Sequence, residues 1–172
     1  MPFNTPKRVL RRKATAAEAI HIRKALTGEA GAVSALVNAA YARYIDRMGK
    51  PPAPMLADYD ALVAAGVVYV LPGEHEPRAA VVMMPDADGL FLENIAVRPD
   101  CQGQGLGREL MDFVETSARE QCLPAVHLYT NEVMIENLAF YTRLGFEEMD
   151  RREEDGYRRV FFRKILADTA GP

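Results

Sequence analysis

Residues 90–111 read LFLENIAVRPDCQGQGLGRELM, an apolar strand that runs through a glycine-rich turn into a helix. Glycines at positions 103, 105 and 107 remove the β-carbons that would keep a ligand away from the backbone. The start of a helix also carries unsatisfied N–H groups and the positive end of the helix dipole, which suit a pyrophosphate. We therefore predict a phosphate-binding turn formed by the backbone of residues 103–108.

The bulk composition is that of an ordinary globular domain. The 172 residues are 49% hydrophobic and 26% charged, with a net charge of −3. Because this charge gives no overall attraction to nucleic acid or anionic lipid, we expect neither as a partner. Cys101 and Cys122 match no metal-ligand spacing and no disulfide framework, which predicts free thiols, no metal and a cytoplasmic location. No apolar run has the length of a membrane span or the position of a signal-peptide core.

Charge is distributed unevenly at the N-terminus, where residues 1–17 carry five basic side chains and no acidic one. An organelle transit peptide and a solvated tail share this composition, and Pro2 and Pro6 favour the irregular tail. We expect a basic arm at residues 1–17, one domain at residues 18–168 and a short tail at residues 169–172.

The hydrophobic pattern predicts a single α/β domain with a mixed sheet of about six or seven strands and about four helices. The predicted strands are residues 19–25, 67–71, 79–84, 90–97, 125–130, 146–153 and 157–165. The predicted helices are residues 27–45, 58–65, 106–121 and 133–144. A whole helix separates strands 90–97 and 125–130, so we expect them to be parallel and joined by a right-handed crossover.

Two common phosphate-binding loops do not fit the glycine-rich turn. A Walker loop requires Lys and Ser or Thr after its last glycine, whereas Arg108 and Glu109 follow Gly107. The dinucleotide fingerprint G-x-G-x-x-G is one residue longer and belongs to the first strand of its fold. A nicotinamide enzyme is therefore the second choice.

Three motifs resemble the GCN5-related N-acetyltransferase (GNAT) superfamily. QGQGLG at residues 102–107 resembles the family motif Q/R-x-x-G-x-G/A, and LENIAVRPD at residues 92–100 resembles its central strand and bulge. LYTNEVMIENLAFYTRLGF at residues 128–146 resembles the next strand and an Asn-x-x-x-Tyr helix that ends in Leu-Gly-Phe. The resemblance implies a GNAT-like fold in which strands 90–97 and 125–130 splay apart to form a cleft for acetyl-CoA.

The resemblance also implies which residues bind the co-substrate acetyl-CoA. The backbone of residues 95–97 would bond the pantetheine arm as an added strand, and the turn would bind the pyrophosphate. Gln102 stands where Arg is frequent, and Arg98 and Arg108 are candidate sources of the missing charge. The expected cofactor residues are Ile95, Ala96, Val97, Gln102, Gly103, Gln104, Gly105, Leu106, Gly107, Arg108 and Asn137.

Glu93 and Tyr141 are the candidate catalytic residues. An alkylamine has a pKa near that of lysine, about 10.4, so acetylation needs a base and the departing thiolate needs an acid. Strand alternation predicts that Glu93 shares a face with Ile95 and Val97. In this apolar strand, burial would raise the pKa of the Glu93 carboxyl group. It is the candidate base, with ammonium recognition or pairing with an arginine as alternatives. By resemblance Tyr141 is the acid, one turn after Asn137, and packing in the core is its alternative.

The acceptor site, by resemblance, lies in the first helical region and its loop, residues 39–56. Tyr41, Tyr44 and Met48 offer a partly aromatic wall, and Asn131 ends a neighbouring strand. Cations follow in the same segment, at Arg43, Arg47 and Lys50, which would suit a small acceptor that carries a carboxylate. Packing on the sheet, solvated charges and a helix-capping role for Asn131 are the alternatives.

These residues predict an N-acetyltransferase that transfers an acetyl group from acetyl-CoA to a primary amine by direct attack in a ternary complex. A small-molecule acceptor is favoured over a protein, and a homodimer is left open. A non-catalytic acyl-CoA sensor is the alternative from another class, although it would need the glycine-rich turn without Glu93 or Tyr141. A third hypothesis is an interaction protein that recruits a partner through its basic arm.

Overall fold

A computed structural model of the chain describes residues 21–166, so the predicted arm at 1–17 and tail at 169–172 lie outside the described residues. The strands are β1 (Arg23–Lys24), β2 (Val68–Leu71), β3 (Ala79–Asp86), β4 (Gly89–Val97), β5 (Ala125–Asn131), β6 (Glu147–Glu154) and β7 (Tyr157–Ile165). The helices are α1 (Ala30–Tyr41), α2 (Ile45–Met48), α3 (Tyr59–Ala64), α4 (Leu106–Glu120) and α5 (Ile135–Arg143).

The seven strands form one mixed sheet in the order β1-β2-β3-β4-β5-β7-β6. Only β4 and β5 are parallel neighbours among the described strands, which confirms the predicted crossover through α4. The last hairpin turns at Asp155-Gly156 and places β7, rather than β6, beside β5. The predicted α/β fold with a mixed sheet is therefore confirmed.

Helices cover both faces of this sheet and give the domain two hydrophobic cores. On one face, Leu110 and Val114 of α4 pack with Leu92 of β4, and all three are almost fully buried. On the other face, Val33 and Val37 of α1 pack in a cluster with β2 and β3. Each such side chain contributes about 1.5–3 kcal/mol by leaving water, so both layers hold the central strands in place.

The first helical region is one place where the predicted pattern was wrong. A single helix was expected over residues 27–45, but α1 ends at Tyr41 and a 3-10 turn over Ala42–Tyr44 separates it from α2. Gly49 ends α2 with a positive φ of 69°, a conformation that favours glycine. The chain then enters the segment Pro51–Leu56, called here the proline loop.

A β-bulge at Glu93 interrupts the pairing of β4 with β3. Val82 pairs with Asn94 and Met83 pairs with Leu92, so Glu93 has no partner on β3. The extra residue reverses the alternation of the strand. Leu92 before the bulge and Ile95 after it therefore both pack on the α4 face. Glu93 does not share a face with Ile95 and Val97, which corrects the alternation assumed from the sequence.

The parallel strands β4 and β5 separate at this bulge. Their pairing covers Leu90–Leu92 against Val126–Leu128 and then ends. The edge of β4 formed by residues 95–97 consequently faces an open cleft instead of a neighbouring strand. This is the splayed arrangement that the family resemblance implies.

Candidate active site

A cleft of about 460 Å³, called here the large cleft, lies along the free edge of β4. Residues of β4, the glycine-rich turn and α5 line it, together with the end of α1. Every predicted cofactor residue except Gln104 is among them, so the structure brings these separate segments together.

The glycine-rich turn presents its backbone donors to this cleft. Gly103 and Gly105 have φ angles of 76° and 85°, which residues with a β-carbon rarely adopt. Within residues 21–166, the N–H groups of residues 103–107 make no hydrogen bond, whereas the Arg108 N–H donates to the Gly105 carbonyl at 3.1 Å. The open donors therefore number one fewer than the sequence suggested, and they fit a pyrophosphate at the start of α4.

Positive charge reaches the large cleft partly from side chains that were not expected there. Arg98 bonds Asp100 through two contacts of 2.6 and 3.0 Å, so its charge is compensated inside the turn. Gln102 also stays within the turn and donates to the Val97 carbonyl at 3.0 Å. Exposed arginines at the rim supply the charge, namely Arg43, Arg108 and Arg143. Sequence reasoning placed Arg43 in the acceptor site and missed Arg143.

Tyr141 lies deep in the large cleft on α5 and is 4% exposed. Edge contacts with Phe140 and Phe146 fix its ring, and burial raises its pKa well above the ordinary value. No hydrogen-bond partner for its hydroxyl occurs in the described part of the chain. Asn137, one turn earlier, donates to the Thr130 hydroxyl at 3.3 Å and also faces the cleft.

A second cavity of about 90 Å³, called here the small cavity, lies beneath the proline loop. Three of the four predicted acceptor residues line it, namely Tyr41, Met48 and Asn131, whereas Tyr44 lies on the large cleft. The Asn131 carboxamide also accepts the Val133 N–H at 3.1 Å within the turn before α5. The N-cap of α5 is Met134 and receives no side-chain bond, so the capping alternative for Asn131 is not found.

Four further aromatic or charged lining residues of the small cavity were not predicted. They are Tyr59 from α3, Tyr129 from β5 and Tyr157 and Arg159 from β7. No motif or spacing connects these positions, since the first and the last are 100 positions apart. Only the sheet order, with β7 beside β5, brings them together.

Glu93 is half-buried and lines the small cavity because of the bulge. Burial raises the pKa of its carboxyl group, since the charged form loses hydration there. Within residues 21–166 its carboxylate makes neither an ion pair nor a hydrogen bond, so the alternative of pairing with an arginine is not found. The group is therefore open to a ligand.

The two cavities meet at Tyr41, which alone among the described residues lines both. Its hydroxyl lies 2.8 Å from Asn94 Oδ1 and 3.1 Å from the Ile95 carbonyl. The Asn94 amide donates to the Tyr59 hydroxyl at 3.0 Å, and that hydroxyl donates to the Pro54 carbonyl at 2.8 Å. This buried network connects the bulged strand with the proline loop that covers the small cavity.

The cover of the small cavity, formed by α2 and the chain through the proline loop (residues 45–56), contacts distant elements. Lys50 bonds the Gly156 carbonyl and lies over the Tyr157 ring, whose hydroxyl donates to the Pro51 carbonyl at 2.8 Å. Arg47 forms a two-point ion pair with Glu136 at 2.8 and 2.9 Å, which lowers the pKa of that carboxyl group to about 2. The cover is thereby attached to both the last hairpin and α5.

Two other features do not occur in residues 21–166. No three His, Cys, Asp or Glu side chains gather there in a way that would suit a metal ion. No helix in the same range combines the length and apolar character needed to cross a membrane. Cys101 is buried, Cys122 is exposed, and both are free thiols.

Comparison with known proteins gives a consistent result. The family model described as "Acetyltransferase (GNAT) domain" matches residues 57–148, more than half of the chain. A mycothiol acetyltransferase from Jonesia denitrificans is 36% identical over 67 residues, which cover 39% of this chain. The matched part spans only 21% of the length of that relative.

Solved structures share the fold at low sequence identity. The ribosomal-protein-S18-alanine N-acetyltransferase of Escherichia coli is 22% identical with a TM-score of 0.68, over 88% of this chain and 96% of that one. The PaiA N-acetyltransferase of Thermoplasma acidophilum, solved with coenzyme A, is 13% identical with a TM-score of 0.71, over 85% and 98% of the two chains. Together with the family model, the splayed strands and the glycine-rich turn show that this chain belongs to the GNAT family of N-acetyltransferases.

Proposed function

We propose that this chain transfers an acetyl group from acetyl-CoA to the primary amine of a small molecule, by direct attack while both substrates are bound. The observation that carries the proposal is the meeting of two different cavities at Tyr41. The family fold binds acetyl-CoA or CoA, and the large cleft offers the backbone donors for it. The small cavity offers an open carboxylate and a volume of about 90 Å³, which suits the amine end of a small acceptor.

The residues of the large cleft fit the co-substrate by their chemistry. When bound, acetyl-CoA supplies an activated acetyl thioester, whose C–S bond breaks as a C–N bond forms to the amine. The N–H groups of residues 103–107 would bind the pyrophosphate, and the free edge of residues 95–97 would bind the amide groups of the pantetheine arm. The Asn137 side chain and the rim arginines would complete the site.

Glu93 is proposed to remove the proton from the acceptor. An alkylamine is protonated at neutral pH because its pKa is about 10.4, so it must lose a proton before it can attack. Partial burial raises the pKa of Glu93 and makes its carboxylate a better proton acceptor than an exposed one. Its carboxylate has no partner in the described residues and is therefore free to accept the proton. We propose that it does so directly or through a water molecule.

Tyr141 is proposed to provide the proton for the leaving sulfur. Burial keeps its hydroxyl protonated far above neutral pH, and that hydroxyl is not committed to another described residue. Its position on α5 places it in the large cleft, opposite the open edge of β4. A neutral hydroxyl there can donate a hydrogen bond to developing negative charge.

The test follows coenzyme A release from acetyl-CoA in the presence of a panel of primary amines. The proposal expects release that depends on the amine and falls at least about 100-fold in Tyr141→Phe. Tyr69→Phe is the matched control, because Tyr69 packs on Phe113 away from both cavities. Binding of acetyl-CoA without turnover of any amine would instead support the sensor, and no binding would leave the interaction protein.

Three further sequence expectations stay predictions with their own tests. We propose that the domain comprises residues 18–168, which limited proteolysis followed by mass spectrometry checks. Cell fractionation checks the cytoplasmic location. Sedimentation velocity checks the homodimer.

A further inference from the structure

We infer that the acceptor carries no carboxylate, and that the small cavity takes a primary amine on a slender, uncharged and apolar stem. The inference rests on the proposed function and names its substrate class. It departs from the sequence expectation of an acceptor with a carboxylate, because the side chains that would bind such a group are committed elsewhere.

The charge that lines the small cavity is predominantly negative. Among the described lining residues only Glu93 and Arg159 are charged. Arg159 is 8% exposed and its guanidinium pairs with Glu154 and, at 3.1 Å, with Asp155. The same guanidinium stacks over the Tyr129 ring, 4.1 Å from its centroid. Two carboxylates already compensate its single charge, so Glu93 is the uncompensated group.

The cations of the first helical region are directed away from the small cavity. Arg43 lines the large cleft, Arg47 pairs with Glu136, and Lys50 bonds the Gly156 carbonyl. A substrate carboxylate in the small cavity would therefore lose hydration without gaining a free cation, and it would lie near the Glu93 carboxylate. An ammonium group has the opposite preference.

The walls define the stem that follows the amine. Apolar side chains of the proline loop, α3 and the sheet form most of the surface, including Pro52, Pro54, Leu62, Val82 and Met134. An apolar cavity of about 150 Å³ can hold a benzene ring, so a volume of about 90 Å³ accommodates a short chain of methylenes. Bulky groups would remain outside the proline loop.

The experiment compares three amines that differ in charge and branching. Butylamine has the slender stem, norvaline adds a carboxylate beside the amine, and norvalinamide keeps the branch without the charge. We expect kcat/KM for butylamine to exceed that for norvaline by at least about 100-fold, with norvalinamide within about tenfold of butylamine. Equal or faster turnover of norvaline would overturn the inference, and so would norvalinamide as slow as norvaline.

A variant that frees Arg159 sharpens the test. Glu154→Gln combined with Asp155→Asn removes both compensating charges, and Asn tolerates the positive φ of 53° at position 155. Turnover of norvaline should then rise at least about tenfold relative to butylamine. Glu153→Gln is the matched control, since Glu153 makes no contact with Arg159 among the described ion pairs. An unchanged ratio in the double variant would contradict the inference.

Failure of this inference differs from failure of the proposed function. If no amine in the panel leads to release of coenzyme A, the acetyltransferase proposal fails. The inference about the acceptor class, which rests on it, then fails with it. If norvaline is acetylated as fast as butylamine and Arg159→Gln abolishes the turnover of norvaline alone, the acetyltransferase function stands. The acceptor class named here is then wrong. Thermal melting of each variant establishes that it is folded.

Discussion

The two cavities of this protein differ in the groups that they present to a ligand. The large cleft, of about 460 Å³, offers backbone groups, with glycines that expose N–H groups and a strand edge that lacks a neighbour. The small cavity, of about 90 Å³, is formed by side chains, among them four tyrosines and one uncompensated carboxylate. The first therefore presents groups that every residue type carries, and the second presents groups that a single substitution changes.

This difference assigns different tasks to the two cavities. Backbone donors fixed by turn geometry bind the part of a ligand that is always the same, such as a pyrophosphate. Side chains that meet from α1, α3, β4, β5 and β7 shape the part that differs between substrates. We expect substitutions at the small cavity to affect turnover and selectivity, and substitutions at the turn to affect cofactor affinity.

The largest effect is expected from Glu93→Gln. Loss of the proposed base should lower kcat/KM about 100-fold at neutral pH with the affinity for acetyl-CoA unchanged. Because burial raises the pKa of Glu93, the wild-type rate should rise with pH through a value above the ordinary range of a glutamate, as the carboxylate forms. The variant should lack this acidic limb, which a pH profile of kcat/KM measures.

The same variant has a stability signature that identifies the environment of Glu93. A carboxyl group whose pKa is raised by folding favours the folded state at low pH and loses that contribution as pH rises through its pKa. Glu93→Gln should therefore melt at the same temperature as the wild type or slightly higher at pH 7, and the difference should shrink towards pH 4. A variant that is markedly less stable at pH 7 would contradict a half-buried, unpaired carboxylate.

Substitution in the turn should give the next largest effect and act on affinity. Gly105→Ala places a β-carbon at a φ of 85° and obstructs the approach of a phosphate, so the Kd for acetyl-CoA should rise about 30-fold. Gly145→Ala is the matched control, because Gly145 has a φ of 83° and lies outside both cavities. Isothermal titration calorimetry should show weaker binding only in the first variant. Equal losses in both would mean that backbone strain, rather than the ligand site, is responsible.

The resemblance that implies the large cleft could be read from the sequence because the motifs that carry it are local. The alternation of apolar residues, the three glycines and the Asn137–Tyr141 spacing each lie within one stretch of chain. The orientation of Glu93 could not be predicted, since one extra residue in β4 reverses the alternation and no composition signal marks it. Arg159 was missed because its place beside Tyr129 depends on β7 pairing with β5.

The buried hydrogen-bond network of Tyr41, Asn94 and Tyr59 should contribute more to the stability of the fold than to catalysis. Asn94→Ala removes the amide that connects Tyr41 with Tyr59, and it leaves two buried hydroxyls without those partners. We expect a loss of about 1.5 kcal/mol in the free energy of unfolding, measured by urea denaturation. Asn38→Ala is the control, since the Asn38 side chain makes no hydrogen bond to another described residue. A loss no larger than in this control would show that the network contributes little.

The smallest effect is expected where the cover of the small cavity meets α5. Glu136→Gln removes the ion pair with Arg47, but both side chains are 42% exposed, so water screens much of the attraction. The loss in the free energy of unfolding should be below about 1 kcal/mol at pH 7. Because Arg47 lowers the pKa of Glu136 to about 2, the contribution of the pair is present above the ordinary pKa of a glutamate and disappears as pH falls towards 2.

If the pair also positions the cover, KM for the amine should rise up to about threefold while the Kd for acetyl-CoA stays constant. A change in the Kd for acetyl-CoA alone would instead mean that α5, and not the cover, depends on this contact.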